Sequence, residues 1–162
     1  MINNMDTENN IQRKLIAKFN YLDGKIKIPR VRRISAEVSQ DKFFEVFDFL
    51  VKDLQFTHLC AITGLDEGQF LSFIYHITTE NGIVINFKTS VPKANPIIKT
   101  VMPYFPCAEV YERELIDLLG AVVETLPPGN RYPLPDNWPR DEFPLRKDWK
   151  PKVNNNEEAK NA

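Results

Sequence analysis

The stretch YERELIDLLG, residues 111–120, gathers Glu112, Arg113, Glu114 and Asp117 within six positions. Neighbouring carboxylates are the raw material of general acid–base chemistry, provided a pocket sets their pKa values apart. The same spacing has plainer uses. Glu109–Arg113 and Arg113–Asp117 stand four residues apart, and each such pair adds about 0.3–0.5 kcal/mol on an exposed helix. Glu112 lies nearer the Tyr111–Leu115 apolar face, so burial there demands a hydrogen-bonding partner. Three readings follow: a solvated helix face or structural ion network, which is favoured, a protein-docking face, and a local catalytic centre.

Metal chemistry finds little support. The carboxylates of 112–117 have no histidine beside them and do not form a Glu-x-x-His unit. His58 and His76 sit in strand-like stretches, and two histidines without a third clear ligand read as ordinary satisfied or surface residues. Cys60 and Cys107 belong to no CxxC unit and are expected to be reduced, buried thiols. There is no GxSxG or HExxH stretch, and no glycine-rich turn follows the first strand, which argues against a nucleotide site.

A second stretch, YPLPDNWPRDEFPLRKDWK, carries Arg146, Lys147 and Asp148 between Leu145 and Trp149. Prolines recur from Pro127 to Pro151, which rules out continuous helix or central strand. Yet Tyr132, Leu134, Trp138, Phe143, Leu145 and Trp149 supply repeated apolar anchors. The segment reads as an extended arm. Its tryptophans either cap this chain's own core or meet another protein, where aromatic and arginine anchors are common.

The elements that must position these residues follow from periodicity. The apolar positions of IQRKLIAKF suggest a short helix after a loose polar start at residues 1–10. In SQDKFFEVFDFLVKDL, residues Phe43, Phe47, Leu50, Val51 and Leu54 recur at helical spacing, with Ser39 as the cap. FTHLCAIT reads as a strand closed by a GLDEG turn. QFLSFIYHIT and IVINFKT alternate and are joined at Asn81–Gly82, a tight hairpin signal. The charged stretch is a helix starting near Cys107, with Ala108, Tyr111, Leu115 and Leu119 on one face and Gly120 as a left-handed cap. The fold class is α+β, in two layers, with helices on a mixed or mainly antiparallel sheet and a proline-rich C-terminal arm.

Length and charge bound the rest. A chain of 162 residues suits one domain. The expected division is a polar segment over 1–29 with a short helix, an α+β core over 30–126, the docking arm over 127–151, and a flexible tail over 152–162. The net charge is −1 and no long basic block stands out, which argues against a binder of nucleic-acid backbone. The densest basic spot, RVRR at 30–33, reads as a solvated edge or a set of salt bridges. The start lacks the apolar run of a signal peptide, and no stretch approaches a spanning helix.

The pair FPCAEVYERELIDLLG and YPLPDNWPRDEFPLRKDW resembles the 30 kDa subunit family of respiratory NADH dehydrogenase (complex I), which includes related subunits of membrane-bound energy-converting nickel–iron hydrogenases. The likeness falls first on Phe105, Pro106, Ala108, Glu112, Arg113, Glu114, Asp117 and Gly120. It continues on Leu134, Pro135, Asp136, Trp138, Pro144, Leu145, Arg146, Lys147, Asp148 and Trp149, and extends more weakly over residues 30–150. One departure stands out. Where complex I members carry Gly-His-Pro-Asp-Leu-Arg-Arg, this chain has ETLPPGNRYPLPDNW, with Arg131 alone matching the arginine pair; this link looks more like the hydrogenase-associated branch.

The resemblance implies a non-catalytic subunit without a cofactor of its own. Its arm would dock on the large subunit related to the nickel–iron hydrogenase catalytic subunit, beside iron–sulfur subunits. Iron–sulfur clusters, with flavin or nickel–iron, would lie in those partners. The resemblance also implies that Arg146, Lys147 and Asp148 make charge-paired contacts with the partner, while Trp138 and Trp149 anchor it. Location would be cytoplasmic, peripheral on the inner face of the cell membrane, with membrane contact only through the complex. Dimerisation of the isolated chain stays open. The competing readings are a small free-standing enzyme using the carboxylate cluster and an orphan protein-binding adaptor.

Overall fold

The computed structural model describes residues 6–151. The expected tail and residues 1–5 lie outside them. Strands β1 (Ile26–Arg30), β2 (Arg33–Glu37), β3 (His58–Asp66), β4 (Phe70–Thr78) and β5 (Val84–Pro92) form one sheet in the order β1-β2-β5-β4-β3. All neighbours are antiparallel except β2 and β5, which run parallel. Helices α1 (Asp6–Lys18), α2 (Phe43–Lys52) and α3 (Ala108–Leu119) complete the α+β fold. A short parallel pair, β6 (Ile97–Lys99) with β7 (Val122–Glu124), brackets α3 in sequence.

Alternation in β4 and β5 buries Leu71, Phe73, Tyr75, Ile77, Ile85 and Phe87 on one sheet face, as their spacing foretold. That face receives the α2 stripe. Phe43 sits 4.8 Å from Tyr75 and 5.1 Å from Phe87, ring to ring, and Phe47 meets both rings as well. Val46 joins the buried stripe, whereas Val51 and Leu54 are only partly covered. The opposite face is polar. His76 bridges Thr63 at 2.9 Å and Asn86 at 2.8 Å, and His58 is exposed, so both histidines are satisfied or solvated.

Several local expectations change. The first helix begins at Asp6, ahead of the apolar run, and buries Ile11 and Leu15. Ser39 precedes a single 3-10 turn at Gln40–Lys42 and caps nothing with its side chain; its hydroxyl bonds the Asp41 carboxylate instead. GLDEG is not a turn from its first residue: β3 runs through Asp66 and the chain reverses at residues 67–69, with Gly68 at φ 92°. At the β4–β5 hairpin only Gly82 takes a positive φ. Cys60 and Cys107 are free but exposed rather than buried. Each neighbours a residue that takes the inward position, Leu59 in β3 and Ala108 at the start of α3.

Candidate functional site

Helix α3 lies on the same sheet face as α2, at its β3 edge. Gly64 makes this seat. A Cβ built there falls 2.3 Å from Leu119 Cδ1 and 2.6 Å from Leu115 Cδ2, so any larger residue must displace those two side chains from the strand. Leu115 and Leu119 are buried in consequence. Gly120 ends the helix at φ 70° and ψ 33°, the left-handed cap its position implied.

Glu112 is fully buried, and the partner its position demanded is present. Oε2 accepts the Thr100 hydroxyl at 2.5 Å and Oε1 accepts the Val101 N–H at 2.7 Å. Thr100 Oγ1 in turn accepts the Met102 N–H at 3.1 Å. Burial raises the Glu112 pKa, and the two donated hydrogen bonds only partly offset that rise. A carboxylate so enclosed is a brace for the connector between β6 and α3, and it offers no face to a substrate.

The other charges of the helix point elsewhere. Arg113 pairs with Glu109 at 2.7 Å and donates to the Pro127 carbonyl at 2.9 Å. The expected Arg113–Asp117 pair does not form, because Asp117 is engaged from downstream. Arg131 Nε reaches Asp117 Oδ1 at 3.0 Å, and the Leu134 N–H reaches Oδ2 at 3.2 Å. Glu114 is half-buried and forms neither hydrogen bond nor ion pair among the described residues.

Residues 127–151 contain no helix or strand and fold back along α3. The Leu145 N–H donates to the Leu118 carbonyl at 3.0 Å. Arg146 Nε donates to the Leu119 carbonyl at 2.7 Å, and its guanidinium lies 4.5 Å from the Phe143 ring centre. This guanidinium supplies donors to helix carbonyls that α3 itself leaves unpaired. The Lys147 N–H donates to Asp66 Oδ2 at 2.8 Å. Lys93 Nζ joins the same oxygen at 2.7 Å and Asp148 Oδ1 at 2.9 Å. Burial pushes the Asp66 pKa up, but Lys93 and the Lys147 and Gly68 amides outweigh it and hold the carboxyl at about 2.

The structure thus places Arg146, Lys147 and Asp148 in contacts within the chain. Trp138 and Trp149 pack on one another, 5.9 Å between ring centres. Their indole N–H groups donate to the Glu142 carbonyl at 2.9 Å and the Glu142 carboxylate at 3.2 Å. Pro144 is half-buried, while Asp136 is exposed and lines a cleft of about 370 Å³ with Arg113, Asp117, Arg131, Arg140 and Phe143. The outer surface keeps Tyr132 and Leu145 exposed, at 47% and 55%. Sequence reasoning missed Gly64, Asp66 and Lys93. The isolated glycine inside a strand pattern was the one available signal, since it marks a close approach. Among the described residues no group of three or more His, Cys, Asp or Glu side chains is placed to hold a metal ion.

A mixed five-stranded sheet with helices, closed by an irregular segment returning on α3, defines an α+β domain shared with respiratory membrane complexes. A chain of the membrane-bound sulfane sulfur reductase, an archaeal respiratory membrane complex, superposes with a TM-score of 0.78 at 27% identity, covering 90% of this chain and 86% of that one. Residues 36–155 match the family described as respiratory-chain NADH dehydrogenase, 30 Kd subunit, and the chain belongs to that family. It is 36% identical over 138 residues to the C subunit of the F(420)H(2) dehydrogenase of Methanosarcina mazei, covering 83% of this chain and 87% of the relative. It is also 28% identical to the beta subunit of the membrane-bound hydrogenase of Pyrococcus furiosus, covering 73% and 70%.

Proposed function

We propose that this chain is a non-catalytic structural subunit of a membrane-associated, multi-subunit oxidoreductase of the NADH:quinone oxidoreductase or energy-converting hydrogenase type. In this reading residues 127–151 are a docking arm that meets the large subunit related to the nickel–iron hydrogenase catalytic subunit, with iron–sulfur subunits nearby. Electron transfer belongs to the assembly. Iron–sulfur clusters, with flavin or nickel–iron, reside in the partner chains, and this chain sits peripherally on the cytoplasmic side.

The observation that carries the reading is the way the arm is held. Three separate fastenings, at Asp117, at the end of α3 and at Asp66, fix its inner side to the domain. They leave Tyr132 and Leu145 facing outward beside the uncommitted charges of Glu114, Asp136 and Arg140. A pre-ordered surface of this composition, aromatic and aliphatic anchors with a charged rim, binds a partner without further ordering cost. The membrane complexes named for its relatives support the same placement. Against a free-standing enzyme stands the sealing of Glu112, the most buried carboxylate of the cluster, behind Thr100 and Val101.

The test is isolation of the complex from native membranes carrying Tyr132→Asp or Leu145→Asp, at two side chains about half exposed on the outer surface. The large subunit should be lost from the isolate while the variant domain stays folded. An intact complex of unchanged activity would overturn the assignment, as would redox turnover by the purified chain alone.

A further inference from the structure

The basic run at 30–33 lies on a solvated edge of the sheet, as its composition suggested. β1 and β2 form an antiparallel ribbon at the outer edge of the sheet. Lys25, Lys27, Arg30 and Arg32 are exposed and Arg33 is half-buried. None of the five forms an ion pair among the described residues, and the Arg33 guanidinium has the Arg32 carbonyl, at 2.8 Å, as its hydrogen-bond partner. Of the acids around it, Glu8 is buried and Glu37 faces Lys88 at 3.7 Å, while Asp23 and Glu80 stand exposed at the ribbon's two ends, so the five cations outnumber the free carboxylates beside them.

The turn that presents these cations is firmly built. Arg32 holds φ at 59°, a left-handed backbone that glycine adopts freely and arginine rarely does. Its N–H donates to the buried Glu8 Oε1 at 2.6 Å, and its carbonyl accepts the Val84 N–H at 3.1 Å. Pro29 removes a backbone donor from β1, the outermost strand, which disfavours pairing with another strand. What the ribbon offers a neighbour is therefore side-chain charge.

We propose that the β1–β2 ribbon is a second docking surface, taking the acidic face of another polypeptide in the same assembly. Like charges crowded on one ribbon repel and are relieved by opposite charge from outside. A protein face fits better than a lipid surface, because Val31 is the one large apolar side chain exposed at the turn, at 44%. It also fits better than nucleic acid, since the ribbon carries no aromatic ring for stacking and the whole chain has a net charge of −1. The ribbon lies at the opposite edge of the sheet from β3 and α3, four strand spacings or roughly 19 Å away. Its five cations all precede residue 36, where the family match begins, and its use does not depend on the arm.

Zero-length carbodiimide coupling of the intact complex tests this. Lys25 or Lys27 should couple to an aspartate or glutamate of a different polypeptide, and raising the salt should reduce that coupling about tenfold. In complexes carrying Lys25→Glu with Lys27→Glu, or Arg30→Glu alone, that polypeptide should fall by about the same factor while the large subunit is retained. Coupling confined to this chain, or lysines labelled equally by acetylation in the free chain and in the complex, would overturn the proposal. Ribbon-dependent sedimentation with phosphatidylglycerol but not phosphatidylcholine vesicles would overturn it in favour of lipid. Failure of the arm reading looks different, because there the Leu145→Asp variant keeps its large subunit.

Discussion

Asp66 and Lys147 lie 81 positions apart, yet the Lys147 amide donates to the Asp66 carboxylate at 2.8 Å. With Lys93 on the same oxygen, one nearly inaccessible carboxylate ties the end of the sheet to the C-terminal segment. Asp66→Ala leaves the Gly68 and Lys147 amides without an acceptor and Lys93 with Asp148 alone, a loss of about 1–3 kcal/mol for each amide that stays buried. Residues 143–151 should then exchange amide hydrogens faster and become protease-sensitive, while β4 and β5 keep their protection.

The same fastening sets a pH window. A carboxyl held at about 2 stabilises the folded state fully above the ordinary aspartate range, and that contribution disappears as pH falls from about 4 to about 2. Lys93 acts at the other end. Its pKa is raised, first by Asp66 and then by Asp148, so its contribution is present below the ordinary lysine range and lost only as pH rises past it. In Asp66→Asn, protection of residues 143–151 should already be weaker at neutral pH and should lose its dependence on pH between about 4 and about 2.

Glu112→Ala should cost about 1–3 kcal/mol for each of the two donors it strands in the interior, the Thr100 hydroxyl and the Val101 amide. The pH trend is opposite to that of Asp66. A folded-state pKa raised by burial stabilises the protein at low pH, and this contribution falls away as pH climbs through the raised value. Glu112→Gln should flatten that dependence, as measured by denaturant midpoints across pH.

Two glycines should resist substitution for different reasons. Gly120→Ala forces a side chain into left-handed backbone and brings Cβ within 2.7 Å of Arg146 and Phe143, costing more than about 1 kcal/mol and loosening the segment around Arg146. Gly64→Val has ordinary backbone but collides with Leu115 and Leu119, so it should lower the thermal midpoint and expose α3 to exchange.

Much of this architecture was legible in the chain. Period-two alternation exposed β4 and β5, and the aromatic stripe exposed α2, because both bury one full face. Glu112 was readable as a buried carboxylate from its place beside the apolar stripe. β1 and β2 were not read, since IKIPR and RISAE are short, charged and half-buried. The pairing of β2 with β5 is parallel and spans distant sequence, a relation no local pattern reports. The fastenings of residues 127–151 were hidden for the same reason. Lys93 and Asp66 look like loop charges until the fold brings them together, and Asp117 has two arginines it might have chosen by spacing or by topology; topology prevailed.

Asp66, Lys93 and Asp117, with the closing turn of α3, all precede residue 121, while everything they fasten follows it. A chain made from its amino end and folding as it emerges completes the cradle before the piece that fills it has been synthesised. The late segment therefore finds its place only on a domain whose sheet and third helix already stand.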